Sequence, residues 1–368
     1  MSWQRVRGHD ALVRAFRRVV ARGRLAHAYL FTGPPGVGKH LFATELGKAL
    51  LCERPGVRGQ ESGDRGQGSG VRSQPERSSL TPDPCLLTPD LDACDRCPGC
   101  VQVEAGTHPD FLSVSRPEDT SEFPIAVMRD LCQRFALKSA RGRGKVVLVD
   151  DADDLNEESA NCFLKTLEEP PPRSVLILIG TSPDRQLPTI VSRCQVVNFG
   201  PLPAADVADL LRAGGVEDEA LIERLMPLSE GSPGVARALS DPALWEFRRT
   251  LVEGLTADRL DSVGLAQQWN RFVEEAGKEG AVQRQRASLC LGLLLAFLQD
   301  ALRLSVGGEP RLTDPDDRRA LDVLVRRLDA ERILGLMERC LESDFQIDRN
   351  VQLVLVLEAL TDALGQRM

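Results

Sequence analysis

The sequence predicts an α/β fold: a parallel sheet carrying a phosphate-binding loop, followed by helical segments. Three observations carry this expectation. Residues 29–41, YLFTGPPGVGKHL, run from an apolar strand into a glycine-rich turn, a lysine and a helix-forming segment. Two further runs, 146–149 and 174–180, are continuously apolar, as strands covered on both faces are. Beyond residue 200 such runs give way to long stretches of helical periodicity.

In the loop, Gly33, Gly36 and Gly38 let consecutive backbone N–H groups turn inward around an anion. Lys39 adds a point charge and the next helix presents its positive end, so a polyphosphate such as ATP is the expected ligand class. The position after the lysine is normally Ser or Thr, whose hydroxyl joins the Mg²⁺ shell; here it is His40. Mg²⁺ prefers oxygen, so an imidazole is a poor replacement and the Mg²⁺ site reads as degraded. The loop is read as able to bind a nucleotide and badly equipped to hydrolyse one. The competing reading, a glycine-rich turn that binds nothing, gains weight from His40.

With 368 residues the chain can hold two or three domains, and 42% hydrophobic and 27% charged residues are ordinary for a globular protein. A net charge of −8 argues against a surface that mainly wraps nucleic acid. Twelve Phe, 3 Trp and 1 Tyr are too few for a base-stacking platform, so any DNA contact is expected to be shared with partners. The longest apolar run, 287–298, is interrupted by Ser288 and Gly292 and is expected to be too short to cross a bilayer. The first ten residues lack the apolar centre of a signal peptide, and the expected location is the cytoplasm, without membrane contact. Ten cysteines there point to metal or free thiols and away from disulfides.

Taken in order, residues 10–22 place Leu12, Val13, Phe16, Val19 and Val20 on one helical face. Gly8 and His9 precede that helix where the base of a nucleotide could lie. A helix over 41–51 follows the loop and ends at Cys52. Residues 53–93 are rich in Gly, Pro, Ser and Arg without periodicity, which predicts a mobile insertion whose deletion over 55–84 leaves stability nearly unchanged. It closes on Cys94, Cys97 and Cys100 in CDRCPGC. Zinc takes four ligands in a closed tetrahedral site, so a fourth comes from elsewhere. Cys52, at the near end of the insertion, is the preferred candidate, with Cys85 and His108 as alternatives. An iron–sulfur cluster also uses closely spaced cysteines, but the usual trailing Cys-Pro is absent.

A strand is predicted over 111–114, a helix over 125–137, and a buried strand over 146–149. Asp150 and Asp151 stand at the carboxyl end of the last, where a parallel sheet binds ligands and where Mg²⁺ would be held and water activated. The second acid of an active ATPase is Glu, and Asp151 is shorter by about 1.5 Å, enough to misplace a general base. The plainer reading of these acids is a polar cap on a strand. Asn156 caps the next helix, Glu157 and Glu158 complement its positive end, and Pro170 to Pro172 stop it. The strand over 174–180 ends at Thr181, whose hydroxyl could sense a γ-phosphate. Residues 187–199 supply a short helix, Ser192-Arg193-Cys194 and a last strand.

The motifs HAYLFTGPPGVGK, CDRCPGC, AGTHPD, VVLVDDAD, LKTLEEPPP and TIVSRC, in that order, resemble the clamp-loader subunits of the bacterial replicase, within the AAA+ group. The resemblance covers roughly residues 5–200 by motif and the remainder by helical pattern alone. It implies an AAA+ P-loop domain over 1–200, with a zinc module and the insertion, a small helical lid over 201–241 and a helical oligomerisation collar over 242–368. It also implies a hetero-oligomer with gamma/tau and delta subunits that acts on the sliding clamp and primed DNA. In active relatives a Gly-Ser pair in the lid is soon followed by an arginine that touches the nucleotide. Here Gly231 and Ser232 are followed by Pro233 and Gly234, with Arg237 only later, so this sensor reads as missing. In the family, the arginine matching Arg193 reaches across a subunit interface to a neighbour's ATP, as a planar, permanently charged guanidinium suits. These departures favour a non-hydrolysing structural subunit. The alternatives are an ATP-hydrolysing subunit of the gamma/tau type and, further off, an AAA+ protein of DNA repair.

Overall fold

The computed structural model describes residues 2–53, 91–117, 120, 122–311 and 315–367. The insertion expected over 53–93 falls outside them except at its ends. Five strands, β1 (Ala28–Thr32), β2 (Phe111–Val114), β3 (Val146–Val149), β4 (Val175–Ile179) and β5 (Gln195–Asn198), form one sheet in the order β2-β3-β4-β1-β5. Every neighbouring pair is parallel, with Leu30 opposite both Leu178 and Val196. Parallel neighbours need a crossover over a sheet face. These are supplied by α2 (Lys39–Leu51), α3 (Pro98–Glu104), α4 (Ile125–Ala136), α5 (Glu157–Glu168) and α6 (Pro188–Val191), while α1 (Asp10–Ala21) precedes the first strand. Strands β1, β3 and β4 are buried along their whole length, which is why their sequences run apolar without alternation.

Alternate side chains enter two cores. On one face Phe16, Phe31, Phe42 and Phe199 form an aromatic cluster, with Phe31 and Phe42 5.0 and 5.2 Å from the Phe199 ring. Trp3 lies 4.9 Å from Phe42 and donates its indole N–H to Leu91 O at 2.6 Å. On the other face Leu30, Val147 and Leu176 meet Met128, Leu131 and Phe135 of α4 and Phe163 and Leu167 of α5. Removing one of these buried rings costs about 3–5 kcal/mol. Helix α5 starts as its sequence demands, with Asn156 Oδ1 accepting the N–H of Ser159 at 2.9 Å.

Helices α7 (Ala204–Ala213), α8 (Glu219–Ser229) and α9 (Pro233–Ala238) pack on one another. Next come α10 (Pro242–Thr256), α11 (Ser262–Glu274), α12 (Gly280–Ser305), α13 (Pro315–Arg327), α14 (Ala330–Asp348) and α15 (Leu353–Arg367). In this bundle α12 packs against α10, α13 and α14, and α11 against α15.

Three local expectations change. The apolar run at 287–298 belongs to the 26-residue α12, which by length and composition alone is long enough to cross a membrane. Half of its apolar window is buried inside the structure, through Leu293, Leu294, Phe297 and Leu298, as in the core helix of a bundle. Within the helical periodicity expected beyond residue 200, the stretch 320–336 is divided between two helices: α13 ends at Arg327, and Asp329 starts α14 by accepting the N–H of Arg332 at 2.9 Å. Helix α3, unforeseen beside the cysteine motif, begins at Pro98, with Cys97 Sγ accepting the N–H of Cys100 at 3.4 Å.

Candidate functional site

The sheet order sets the carboxyl ends of β1, β3 and β4 side by side, which gathers the residues singled out in the sequence. Gly33 leaves β1 with its N–H bonded to Thr181 O at 2.9 Å, and Gly180 N–H donates to Phe31 O at the same distance. Gly33 needs its glycine: φ is 137° and a Cβ would stand 2.1 Å from Phe199 O. Lys39 is buried, and its Nζ donates to Gly33 O at 2.6 Å and Pro34 O at 2.7 Å. Burial lowers its pKa, with Asp150 and Asp153 opposing. His40 Nδ1 lies 2.7 Å from Asp150 Oδ2, a hydrogen bond that raises the imidazole pKa against its partial desolvation. The residue at the hydroxyl position is thus bonded to the acid expected to hold Mg²⁺.

Thr181 is also engaged. Its N–H and Oγ1 donate to Asp153 Oδ2 at 2.7 and 2.6 Å, and Gln186 Nε2 donates to Asp153 Oδ1 at 2.6 Å. Asp153 carried no signal in the sequence beyond being one more acid after β3. Asp151 adopts a left-handed backbone with φ 52° and is exposed. It lines a different cavity, with Arg116, Arg185, Arg284 and Phe345.

Helix α9 rests on the loop. Ser232 Oγ donates to Pro35 O at 2.8 Å, and Gly234 N–H donates to Gly36 O at 3.1 Å. The approach requires glycine on both sides: a Cβ on Gly234 would stand 2.7 Å from Gly36 Cα, and one on Gly36 2.5 Å from Ser232 Oγ. Gly234, read as the loss of an arginine, is therefore also the residue that lets α9 touch the loop. One turn on, Arg237 faces a cavity of about 330 Å³ together with Arg5, Arg7, His9, Val37 and Gly38. His9 is buried there, its Nε2 2.8 Å from Val37 O.

Arg193 follows α6. Its Nε and Nη2 donate to Glu168 Oε1 at 2.9 and 2.5 Å, and its Nη1 to Thr189 O at 3.0 Å. Its side chain remains 34% exposed.

The Sγ atoms of Cys52, Cys94, Cys97 and Cys100 all lie within 4.8 Å of one another, so the cluster could hold a metal ion. The Cys52–Cys97 and Cys94–Cys100 separations are 4.0 and 3.9 Å. Tetrahedral zinc with Zn–S of about 2.3 Å has S–S edges of about 3.8 Å, so the donor set fits. Backbone N–H groups of Glu53 and Cys97 point at Cys97 and Cys94 sulfur, both at 3.3 Å. Burial opposes ionisation of Cys94, but the N–H groups of Arg96 and Cys97 and the neighbouring thiols bring it down to about 6. Cys85 lies outside the described residues, and His108 is turned elsewhere, its Nδ1 accepting Asp110 N–H at 3.0 Å. Around the cluster, buried Lys48 bonds Asp95 at 2.8 Å and Glu104 at 3.0 Å, while Arg143 donates to Cys52 O at 2.6 Å. These supporting contacts join residues far apart in the chain and were not legible in it.

A parallel β2-β3-β4-β1-β5 sheet, a glycine loop leading into α2 and a helical segment resting on that loop define a P-loop protein of the AAA+ class. The family described as "DNA polymerase III, delta subunit" matches residues 8–71 and 84–203. The DNA polymerase III subunit delta' of Pseudomonas aeruginosa is 37% identical over 256 residues, spanning 68% of this chain and 67% of that protein. The Escherichia coli subunit delta' is 28% identical over 326 residues, 88% of this chain and 84% of that protein. The E. coli subunit tau is 29% identical over 242 residues, 64% of this chain but 32% of tau. The chain belongs to the delta-prime family of DNA polymerase III clamp-loader subunits.

Proposed function

We propose that this clamp-loader subunit is the non-hydrolysing, structural member of its complex and that it donates Arg193 to a neighbouring ATPase site. The observation that carries the reading is that the groups of the phosphate site are bonded within the chain itself. Lys39 is turned onto the loop carbonyls, His40 onto Asp150, and Thr181 onto Asp153, while Ser232 and Gly234 fasten α9 to the loop. A nucleotide would have to displace several of these contacts, and His40 brings no oxygen to Mg²⁺.

In this reading residues 1–200 form the P-loop domain, 201–241 the lid and 242–368 a collar that meets gamma/tau and delta subunits. The assembly works in the cytoplasm on the sliding clamp and primed DNA. Zinc held by Cys52, Cys94, Cys97 and Cys100 would be structural, joining the end of α2 to the start of α3. Arg193 would stabilise charge on a phosphoryl group transferred in the neighbour, where a preorganised cation acts with little reorganisation. The test is ATP turnover. The purified chain alone is expected to show none that Lys39→Ala abolishes. In a reconstituted complex with clamp and primed DNA, Arg193→Ala is expected to lower turnover about tenfold or more with assembly intact. Lys39-dependent hydrolysis by the isolated chain would instead favour the gamma/tau-type alternative.

A further inference from the structure

The contacts of Arg193 identify a second residue of the donated site. A guanidinium carries five N–H donors in one plane, and a phosphoryl group is gripped best by the terminal edge, between Nη1 and Nη2. Glu168 Oε1 takes the other edge, accepting from Nε at 2.9 Å and Nη2 at 2.5 Å. On the far side Nη1 donates to Thr189 O at 3.0 Å and to Ser192 Oγ at 3.3 Å. The guanidinium is held from both sides, and its side chain remains 34% exposed.

The holders sit on fixed backbone. Glu168 is the last residue of α5, which Pro170 prevents from continuing, and its preceding turn is anchored by fully buried Leu167. Thr189 lies in α6, whose Ile190 is fully buried in the same core. An arginine on a free tether samples many rotamers, only a few of which reach across an interface. Glu168 removes that freedom while taking only one of the two N–H groups on Nη2.

We infer that Glu168 is a positioning residue for Arg193, aiming its guanidinium across the subunit interface at the neighbour's nucleotide. This rests on the reading of Arg193 as donated. Because Glu168 acts through an accepting oxygen, Gln at that position keeps the acceptor and Ala does not.

The experiment is steady-state ATP turnover by the complete reconstituted complex, with clamp and primed DNA, carrying Arg193→Ala, Glu168→Ala, Glu168→Gln or the Glu168→Ala/Arg193→Ala pair. Size-exclusion chromatography establishes that each complex assembles. Glu168→Ala is expected to lower kcat about three- to tenfold with KM little changed, and Glu168→Gln to retain most of the activity. The double variant is expected to match Arg193→Ala, because a residue acting through Arg193 has nothing left to act on. Wild-type turnover in Glu168→Ala alongside a large loss in Arg193→Ala would overturn the positioning role and leave the donated arginine standing. An equal further loss on adding Glu168→Ala to Arg193→Ala would also overturn it, as a structural effect independent of the arginine. Wild-type turnover in Arg193→Ala would overturn both.

Discussion

Gly234→Ala probes the contact between α9 and the loop most directly. The added methyl would stand 2.7 Å from Gly36 Cα and 3.1 Å from Gly36 O, against backbone that cannot swing aside as a side chain can. Relieving such an overlap costs about 1–3 kcal/mol. Parting the N–H of Gly234 from Gly36 O adds about 0.5–1.5 kcal/mol, and the better helix propensity of alanine returns at most about 1 kcal/mol. The net weakening is about 0.5–4.5 kcal/mol, and since about 1.4 kcal/mol is tenfold, the open state gains from about 2-fold to about 10³-fold. If closure of α9 on the loop is what keeps nucleotide out, affinity rises by the same factor. The assay is calorimetric titration with ADP in the absence of Mg²⁺, beside hydrogen exchange of the amides of Gly36, Val37, Gly38 and Lys39. Faster exchange with ADP affinity unchanged would refute the reasoning, since α9 would then have left the loop without admitting a nucleotide.

Two other outcomes are expected. Elemental analysis of the purified chain should find about one zinc per chain, lost in a Cys97→Ser/Cys100→Ser double variant; a metal-free wild type would sink the zinc assignment. NMR titration should find His40 above its ordinary pKa of 6.5, falling back in Asp150→Asn, because the Asp150 carboxylate favours the charged ring. The folded-state pKa being the higher one, the pair's contribution to stability is complete below about pH 6.5 and fades as pH rises through the folded value. Indistinguishable titrations in the two proteins would remove the pair from solution.

The sheet was largely legible because its strands carry their burial in their composition. FLSV and VVLV coincide with β2 and β3, and Asn156 caps α5 as its position predicts. The loop glycines were legible too, since their positive φ values are a local demand of the turn. Contacts made by tertiary approach were not. Nothing near Thr181 in the chain announces Asp153, 28 residues earlier, as its partner. Glu168 and Arg193 are 25 residues apart and meet only because α6 folds back on the end of α5. Gly234 shows the limit most clearly: the sequence records the arginine that is absent, while only the fold reveals Gly36 beneath it. The break between α13 and α14 was hidden by an apolar period that carries on through Leu328, itself buried.

Trp3 gives the molecule a built-in optical probe. Its indole is bonded to Leu91 O, three residues before the first cysteine of the CDRCPGC run, and packs on Phe42 of the helix that ends at Cys52. The other two tryptophans, Trp245 and Trp269, sit in α10 and α11, away from the cysteines in the chain. In a protein reduced to Trp3 alone, emission wavelength and lifetime would follow loss of order at the cysteine cluster while the helical bundle stayed silent. Chelation could then be timed in a stopped-flow instrument without an attached dye.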